Sequence, residues 1–234
     1  MNILAIGCHP DDVEIGCGGT LRKYADRGDR VFLCHVANGD MGHTQIMPPE
    51  LRLIRGEEAR RGGAILGAQV ISLDVGDLRV KEFYDRKIEE LVKVIRDTKP
   101  DVIITHSPTD YMVDHVTVGQ MAVDASFSAT VPHYAPGSPA HGVFPVIYYM
   151  DNLAGVNFLP TEYVDITDTI EAKIAALECH ESQIRWMREH DHIDFSEFVR
   201  VTARFRGIQS SVGYAEGFTQ HMSWPRIATR RMLP

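Results

Sequence analysis

Between His9 and Glu14 the segment "GCHPDDVEIGCGG" gathers one imidazole and three carboxylates, His9, Asp11, Asp12 and Glu14, immediately behind the apolar run Ile3-Leu4-Ala5-Ile6. Burying ions at a strand end is costly unless an opposite charge compensates them. A divalent cation is the natural compensation. His9 and Asp12 are three apart in a turn, so an imidazole nitrogen and a carboxylate oxygen can converge on one ion. A second polar segment, His106 to His115, follows the apolar run Val102-Ile103-Ile104, and His115 offers a third ligand from there. Two nitrogens and one oxygen suit Zn²⁺ with a fourth position open to water, and the same donors accept other divalent metals. Asp11, beside a ligand but free to point elsewhere, is placed to take a proton from that water as general base. Glu14 either orients a ligand or caps the following helix.

An alternative without a metal is that the His-Pro-Asp turn is a helix cap, since Asp is a favoured capping residue. The adjacent aspartates, the strand before them, the glycine pair after them and the second histidine-bearing segment weigh toward the metal. Gly16-Cys17-Gly18-Gly19 does not have the GxGxxG spacing of a dinucleotide loop, and carboxylates stand where a pyrophosphate would approach.

The elements that position these residues follow from the hydrophobic pattern. Strands are predicted at 3–6, 30–37, 70–74 and 102–105, and helices at 15–27, 49–66, 83–98 and 116–127. Four strand–helix alternations in the first 130 residues imply a parallel sheet covered by helices on both faces. Ligands of such sheets bind beyond the carboxyl ends of the strands, where 9–14, 38–43 and 106–115 all fall. His9 and His115 can therefore meet. Further strands are predicted at 144–149 and 163–166, and helices at 171–188 and 196–205. The stretch 129–142, with three prolines and two histidines, is predicted as a surface loop of the kind that forms a lid or an oligomer contact.

The chain has 234 residues, 44% hydrophobic and 24% charged, which fits one α/β domain over 1–234. A net charge of −8 argues against nucleic-acid or anionic-membrane binding, and the arginines of the last ten residues are expected to be a solvated tail. Without a spanning apolar stretch or a leader-like start, a soluble, cytoplasmic protein is expected, with Cys8, Cys17, Cys34 and Cys179 reduced.

"HPDDVEIGCGGT" with "THSPTDYMVDH" resembles the PIG-L/LmbE-like family of zinc-dependent N-deacetylases, and "IRGEEARRGGAILG", "AKIAALECHESQ" and "GYAEGF" extend the similarity over most of the chain. The resemblance implies a Rossmann-like three-layer sandwich with a mainly parallel sheet, and hydrolysis of an acetamide on an N-acetylglucosamine-containing sugar to acetate and a free amine. It implies His9, Asp12 and His115 as zinc ligands and Asp11 as general base. Arg55 matches an arginine that helps hold substrate, although a surface ion pair with Glu58 at i+3 is the plain alternative. Trimers or hexamers are expected from the same resemblance.

Two positions depart from the family pattern. Val13 stands where glutamate is usual, with Glu14 next. Met112 replaces a histidine that stabilises the oxyanion or protonates the leaving amine, and a thioether does neither. Asp114, expected among the catalytic residues, then lacks its imidazole partner. His221 is the first candidate to fill that volume and His133 the second. The alternatives are polarisation by the metal alone, an amidase for a larger acyl or thiol-sugar conjugate, and a non-catalytic carbohydrate-binding protein.

Overall fold

The predicted apolar runs pair side by side. In the computed structural model, which describes residues 1–135 and 137–234, the strands are β1 (Asn2–Gly7), β2 (Arg30–Ala37), β3 (Ala68–Val75), β4 (Val102–Thr105), β5 (Val146–Met150), β6 (Glu162–Asp165) and β7 (Ala215–Gln220). The helices are α1 (Asp12–Asp26), α2 (Pro48–Ile65), α3 (Tyr84–Thr98), α4 (Val113–Ser128), α5 (Ile170–Glu178), α6 (Glu181–Glu189) and α7 (Phe195–Ser210). The sheet order is β3-β2-β1-β4-β5-β7-β6, parallel through β5, with β7 antiparallel to both neighbours.

β1 reads as an unbroken apolar run because both of its faces are covered. Ile3 and Ala5 pack with Leu21 and Tyr24 of α1 and Leu177 of α5. Leu4 and Ile6 pack with Leu91 and Ile95 of α3 and Met121 of α4. Each of the Ile, Leu and Met side chains among them contributes about 1.5–3 kcal/mol by leaving water, and together they form the two cores of a three-layer α/β sandwich.

Three features differ from the sequence reading. The predicted helix at 171–188 is two helices, broken at Cys179-His180, and the break turns α6 toward the carboxyl ends of the strands. β7 was expected only as a C-terminal motif, not as a strand. The loop at 129–142, of which residue 136 lies outside the described residues, is no lid. It hangs from the far end of α4, a helix about 24 Å long at 1.5 Å per residue whose first turn carries His115. The buried Arg96 side chain gathers this loop by donating to the carbonyls of Ala129, Val131, Tyr134, Ala135 and Ser138.

The motifs "AKIAAL" and "AEGF" meet beneath α1. Cys17 has non-helical dihedrals (φ −149°, ψ 16°) that kink this helix, and a kink frees backbone groups that must be paired elsewhere. Glu216 of β7 accepts from Gly19 N (2.9 Å) and Thr20 N (2.8 Å), while Lys173 of α5 donates to Ile15 O and to Glu216 (2.6 Å). Thr169 Oγ1 donates to Gly19 O (2.9 Å). A side chain at Gly19 would meet Ile166 at 2.8 Å, so glycine is what lets α1 approach this close. Both ion-pair partners are buried. Removing one partner of such a pair costs about 3–5 kcal/mol. Lys173→Met is therefore expected to lose roughly that much stability, measured as a lowered urea midpoint with an unchanged slope, and a change under about 1 kcal/mol would contradict the assignment.

Candidate active site

Strand order reverses direction between β1 and β4, the place where a crevice opens in a parallel sheet. Every loop leaving a parallel strand reaches it: His9, Asp11 and Asp12 after β1, Met41 and Gly42 after β2, Asp77 after β3, His106 and Asp110 after β4, and Asp151 after β5. They line a cleft of about 540 Å³.

His9 Nδ1, Asp12 Oδ2 and His115 Nε2 form a nearly equilateral triangle. His9 Nδ1 is 3.3 Å from Asp12 Oδ2 and 3.3 Å from His115 Nε2, and His115 Nε2 is 3.4 Å from Asp12 Oδ2. Ligand atoms about 2.0–2.1 Å from a tetrahedral zinc lie about 3.3–3.4 Å from one another. The three donors therefore fit such a cation, and all three residues line the cleft.

The surroundings fix these donors. Asp12 Oδ2 accepts the His9 backbone N–H at 2.6 Å, which ties the two ends of the turn. His115 Nδ1 faces Asp110 Oδ1 at 3.2 Å, so Nε2 is the nitrogen turned to the triangle. His106 stacks on His115 with ring centroids 4.0 Å apart and accepts the Cys8 N–H at Nε2 (2.9 Å). Its lone pair is thereby committed, and burial with the neighbouring His115 holds its pKa below the ordinary value. Asp77 accepts from Gly39 N (2.8 Å) and Met41 N (3.1 Å), and its Oδ1 stands 3.9 Å from His9 Nε2.

The titration of the triangle shows a site short of positive charge. Burial pushes Asp12 up, but His115 and His106 outweigh it and hold the carboxyl well below the usual range. Burial pushes His115 down, yet Asp12 and Asp110 raise it to about 10. His9 is likewise raised, burial being overcome by Asp12 and Asp77.

Asp11 sits at the start of α1 with φ 115° and makes no side-chain cap. The capping alternative therefore does not describe it. That backbone region is costly for a residue other than glycine, and it turns the carboxylate toward Arg55, whose Nη2 lies 3.2 Å from Asp11 Oδ2. Burial raises the Asp11 pKa to about 6, with Arg55 restraining the rise. Arg55 is itself held by the carbonyls of Pro10 and Gly39. Gly39 has φ 76°, and a Cβ there would come within 2.5 Å of the guanidinium. The ion pair with Glu58 does not form, because Glu58 accepts from Ser182 N (2.7 Å) and Ser182 Oγ (2.6 Å) at the start of α6.

Other expected site residues fall elsewhere. Glu14 points away from the cleft to His180 at the α5–α6 break, 3.3 Å away, so it neither orients a ligand nor caps α1. Asp114 lies behind the cleft wall, where its Oδ2 accepts the Leu78 N–H (2.6 Å) and holds the loop that presents Asp77. The expectation that His221 or His133 fills the Met112 volume is not met within this chain. β7 is antiparallel to β5, with Met150 opposite Phe218 and Tyr148 opposite Gln220, so it carries His221 away from the cleft. There the His221 N–H donates to Ile147 O, and the ring pairs with Tyr149 Oη at 2.8 Å. His133 lies in the loop beyond the far end of α4. Conversely, His106, Asp77 and Asp110 were not singled out from sequence. His106 and Asp110 stand inside the quoted "THSPTDYMVDH", and their places at the end of a strand and ahead of His115 were the available indication.

Beyond the triangle Met41, Leu78, Trp186 and Phe195 give the cleft apolar lining. Gln183 secures the α6 side by donating to Gly42 O (3.1 Å). The charged lining residues are Asp11, Asp12, Asp77, Asp110, Asp151, Asp191 and Arg55, so even a divalent cation leaves the wall net negative. Among the described residues no helix is long and apolar enough to cross a membrane.

Comparison with known proteins agrees with this architecture. The chain is 33% identical over 228 residues to a diacetylchitobiose deacetylase of Thermococcus kodakarensis, covering 92% of this chain and 81% of the relative. The solved N,N'-diacetylchitobiose deacetylase of Pyrococcus horikoshii superposes with a TM-score of 0.80 at 28% identity, covering 94% of this chain and 83% of that one. The 4-carboxy-2-hydroxymuconate hydratase of Pseudomonas putida superposes with a TM-score of 0.83 at 25% identity, covering 99% and 100%. The family model described as GlcNAc-PI de-N-acetylase, PIG-L, matches residues 4–126, which span β1 through most of α4 and hold the whole triangle. This chain belongs to the PIG-L deacetylase family.

Proposed function

We propose that this protein is a divalent-metal-dependent amide hydrolase that removes the N-acetyl group from an N-acetylglucosamine-containing sugar, giving acetate and a free amine. The observation that supports it most is the 3.3–3.4 Å triangle of His9, Asp12 and His115 with the raised Asp11 carboxyl beside it. Zn²⁺, or another divalent cation held by these three residues, supplies Lewis-acid polarisation of the acetamide carbonyl and a water of lowered pKa. Asp11 takes the water's proton at Oδ1, the oxygen that Arg55 does not engage. Arg55 keeps that carboxylate aimed and lines the cleft beside it. With Met112 where an imidazole would protonate the amine, the Asp11 carboxyl that received the proton is the group that returns it. A carboxyl raised to about 6 suits both halves of that exchange. Asp114 acts by holding the Asp77 loop.

Two of the similar proteins are deacetylases and one is a hydratase of a carboxylated substrate. The aspartate-rich cleft favours the former. A neutral acetamido sugar enters it without penalty, whereas a polyanion meets several carboxylates and the single arginine already engaged. The same reading includes a cytoplasmic location and assembly into trimers or hexamers, for which the exposed Met222, Trp224 and Ile227 offer apolar surface.

Purified protein should release acetate from N-acetylglucosaminides, lose that activity to a chelator and regain it with Zn²⁺; turnover untouched by thorough metal removal would refute the mechanism. Asp11→Asn should retain the metal while turnover drops by about 10²–10⁴-fold, measured as acetate release alongside metal content. Asp110→Ala should weaken metal affinity by about 10–100-fold, because His115 loses the partner that sets its tautomer; competition with a chromogenic chelator reads this directly, and an unaltered affinity would exclude the role.

A further inference from the structure

As water adds to an acetamide, the carbonyl oxygen takes up negative charge. A preorganised hydrogen-bond donor aimed at that oxygen is worth about 10²–10³ in rate. A thioether donates nothing, so Met112 leaves this task to another residue.

Most side-chain donors that line the cleft are already engaged. His9 and His115 face the triangle, and His115 turns its other nitrogen to Asp110. His106 is committed to Cys8 N. Arg55 donates to the carbonyls of Pro10 and Gly39 and pairs with Asp11. Asn152 Nδ2 donates to Val156 O (2.7 Å), and Gln183 Nε2 donates to Gly42 O. Trp186 Nε1 and Tyr111 Oη are left without a protein partner among the described residues.

These two stand on different walls. Trp186 belongs to α6, with the His190 ring stacked on it at 4.0 Å. Tyr111 belongs to the loop that leads from β4 to His115, and its ring stands edge-on to the His115 imidazole with centroids 6.1 Å apart. The residue that orients His115 also holds the backbone on either side of Tyr111. Asp110 Oδ1 accepts the Met112 N–H (3.0 Å), and Asp110 N donates to Ser107 O (3.2 Å). Above this fixed base the Tyr111 side chain is 63% exposed at the cleft edge, free to turn over a bound acetamide. Partial desolvation, and then Asp110, Asp12 and Asp11, raise the phenol above its ordinary pKa, so it keeps its proton and acts as a donor.

We infer that Tyr111 is the oxyanion donor of this site: its Oη–H donates to the acetamide carbonyl oxygen as that oxygen gains charge. The phenol keeps its proton throughout, and proton transfer stays with Asp11. The inference rests on the deacetylase reading above. Such a hydrogen bond serves turnover more than substrate binding, because it strengthens when the acceptor becomes an anion.

The experiment compares the wild type with Tyr111→Phe, which removes one oxygen from an exposed side chain; an unchanged thermal midpoint checks that the fold is kept. The kcat for acetate release from methyl N-acetyl-β-D-glucosaminide should fall by about 10²–10³-fold, with KM within about threefold. Methylphosphonate, a tetrahedral anion, should bind the Zn²⁺-loaded variant at least about tenfold more weakly by calorimetry. Zn²⁺ affinity, measured by chelator competition, should be unchanged. Turnover within about threefold of the wild type would overturn the inference. So would a loss of turnover with methylphosphonate binding intact, or one traced to weaker Zn²⁺ binding, since either gives Tyr111 another role. If the wild type releases acetate from no N-acetylglucosaminide yet binds methylphosphonate through Tyr111, the donor stands and the proposed activity falls.

Discussion

One oxygen organises the centre of this molecule. Asp12 Oδ2 accepts the His9 backbone N–H and faces the nitrogens of His9, His106 and His115 at 3.3–3.4 Å. Water is largely excluded around it, so its charge is satisfied by what the loops bring. His106, with its lone pair committed to Cys8, braces His115 from behind. The two remaining imidazoles and the oxygen are left converging on a common point. The demand of that carboxylate for positive charge is the reason the loops after β1 and β4 meet as they do.

The same constraint reaches outward. Asp110 sets the orientation of His115, Asp77 approaches the free nitrogen of His9, and Asp114 and Gly39 hold the loop of Asp77. On the other side Arg55 supplies a fixed cation to Asp11, and the two adjacent aspartates are held at opposite acidities. Asp12 is held deeply acidic by imidazoles, whereas Asp11, set against one guanidinium and otherwise desolvated, rises to about 6. A difference in neighbours separates the candidate ligand from the candidate base.

Rigidity under this constellation comes from the kink in α1. The helix that begins with Asp12 is bent at Cys17, and the backbone groups the bend releases are taken by Glu216, Lys173 and Thr169 from β7, α5 and the turn before α5. Segments more than 140 residues away thus fix the helix that carries a candidate ligand. Their motifs were visible in the sequence as similarity, and their purpose is visible only in the packing.

The sequence by itself determined every strand but β7, most helix bounds and the assembly of polar loops at one sheet edge, because continuous apolar runs covered on both faces leave few other arrangements. It also offered His9, Asp12, His115 and Asp11 as candidate residues, since each stands in a polar segment directly behind an apolar run, a pattern visible locally. Tertiary structure decided the rest. The antiparallel course of β7 removes His221 from the cleft, and the length of α4 removes His133. The α5–α6 break draws Glu14 to His180 and turns α6 into a cleft wall. Arg55 finds Asp11 rather than Glu58. Each of these depends on distances between segments far apart in the chain, and residue types alone do not encode such distances until the sheet has set them.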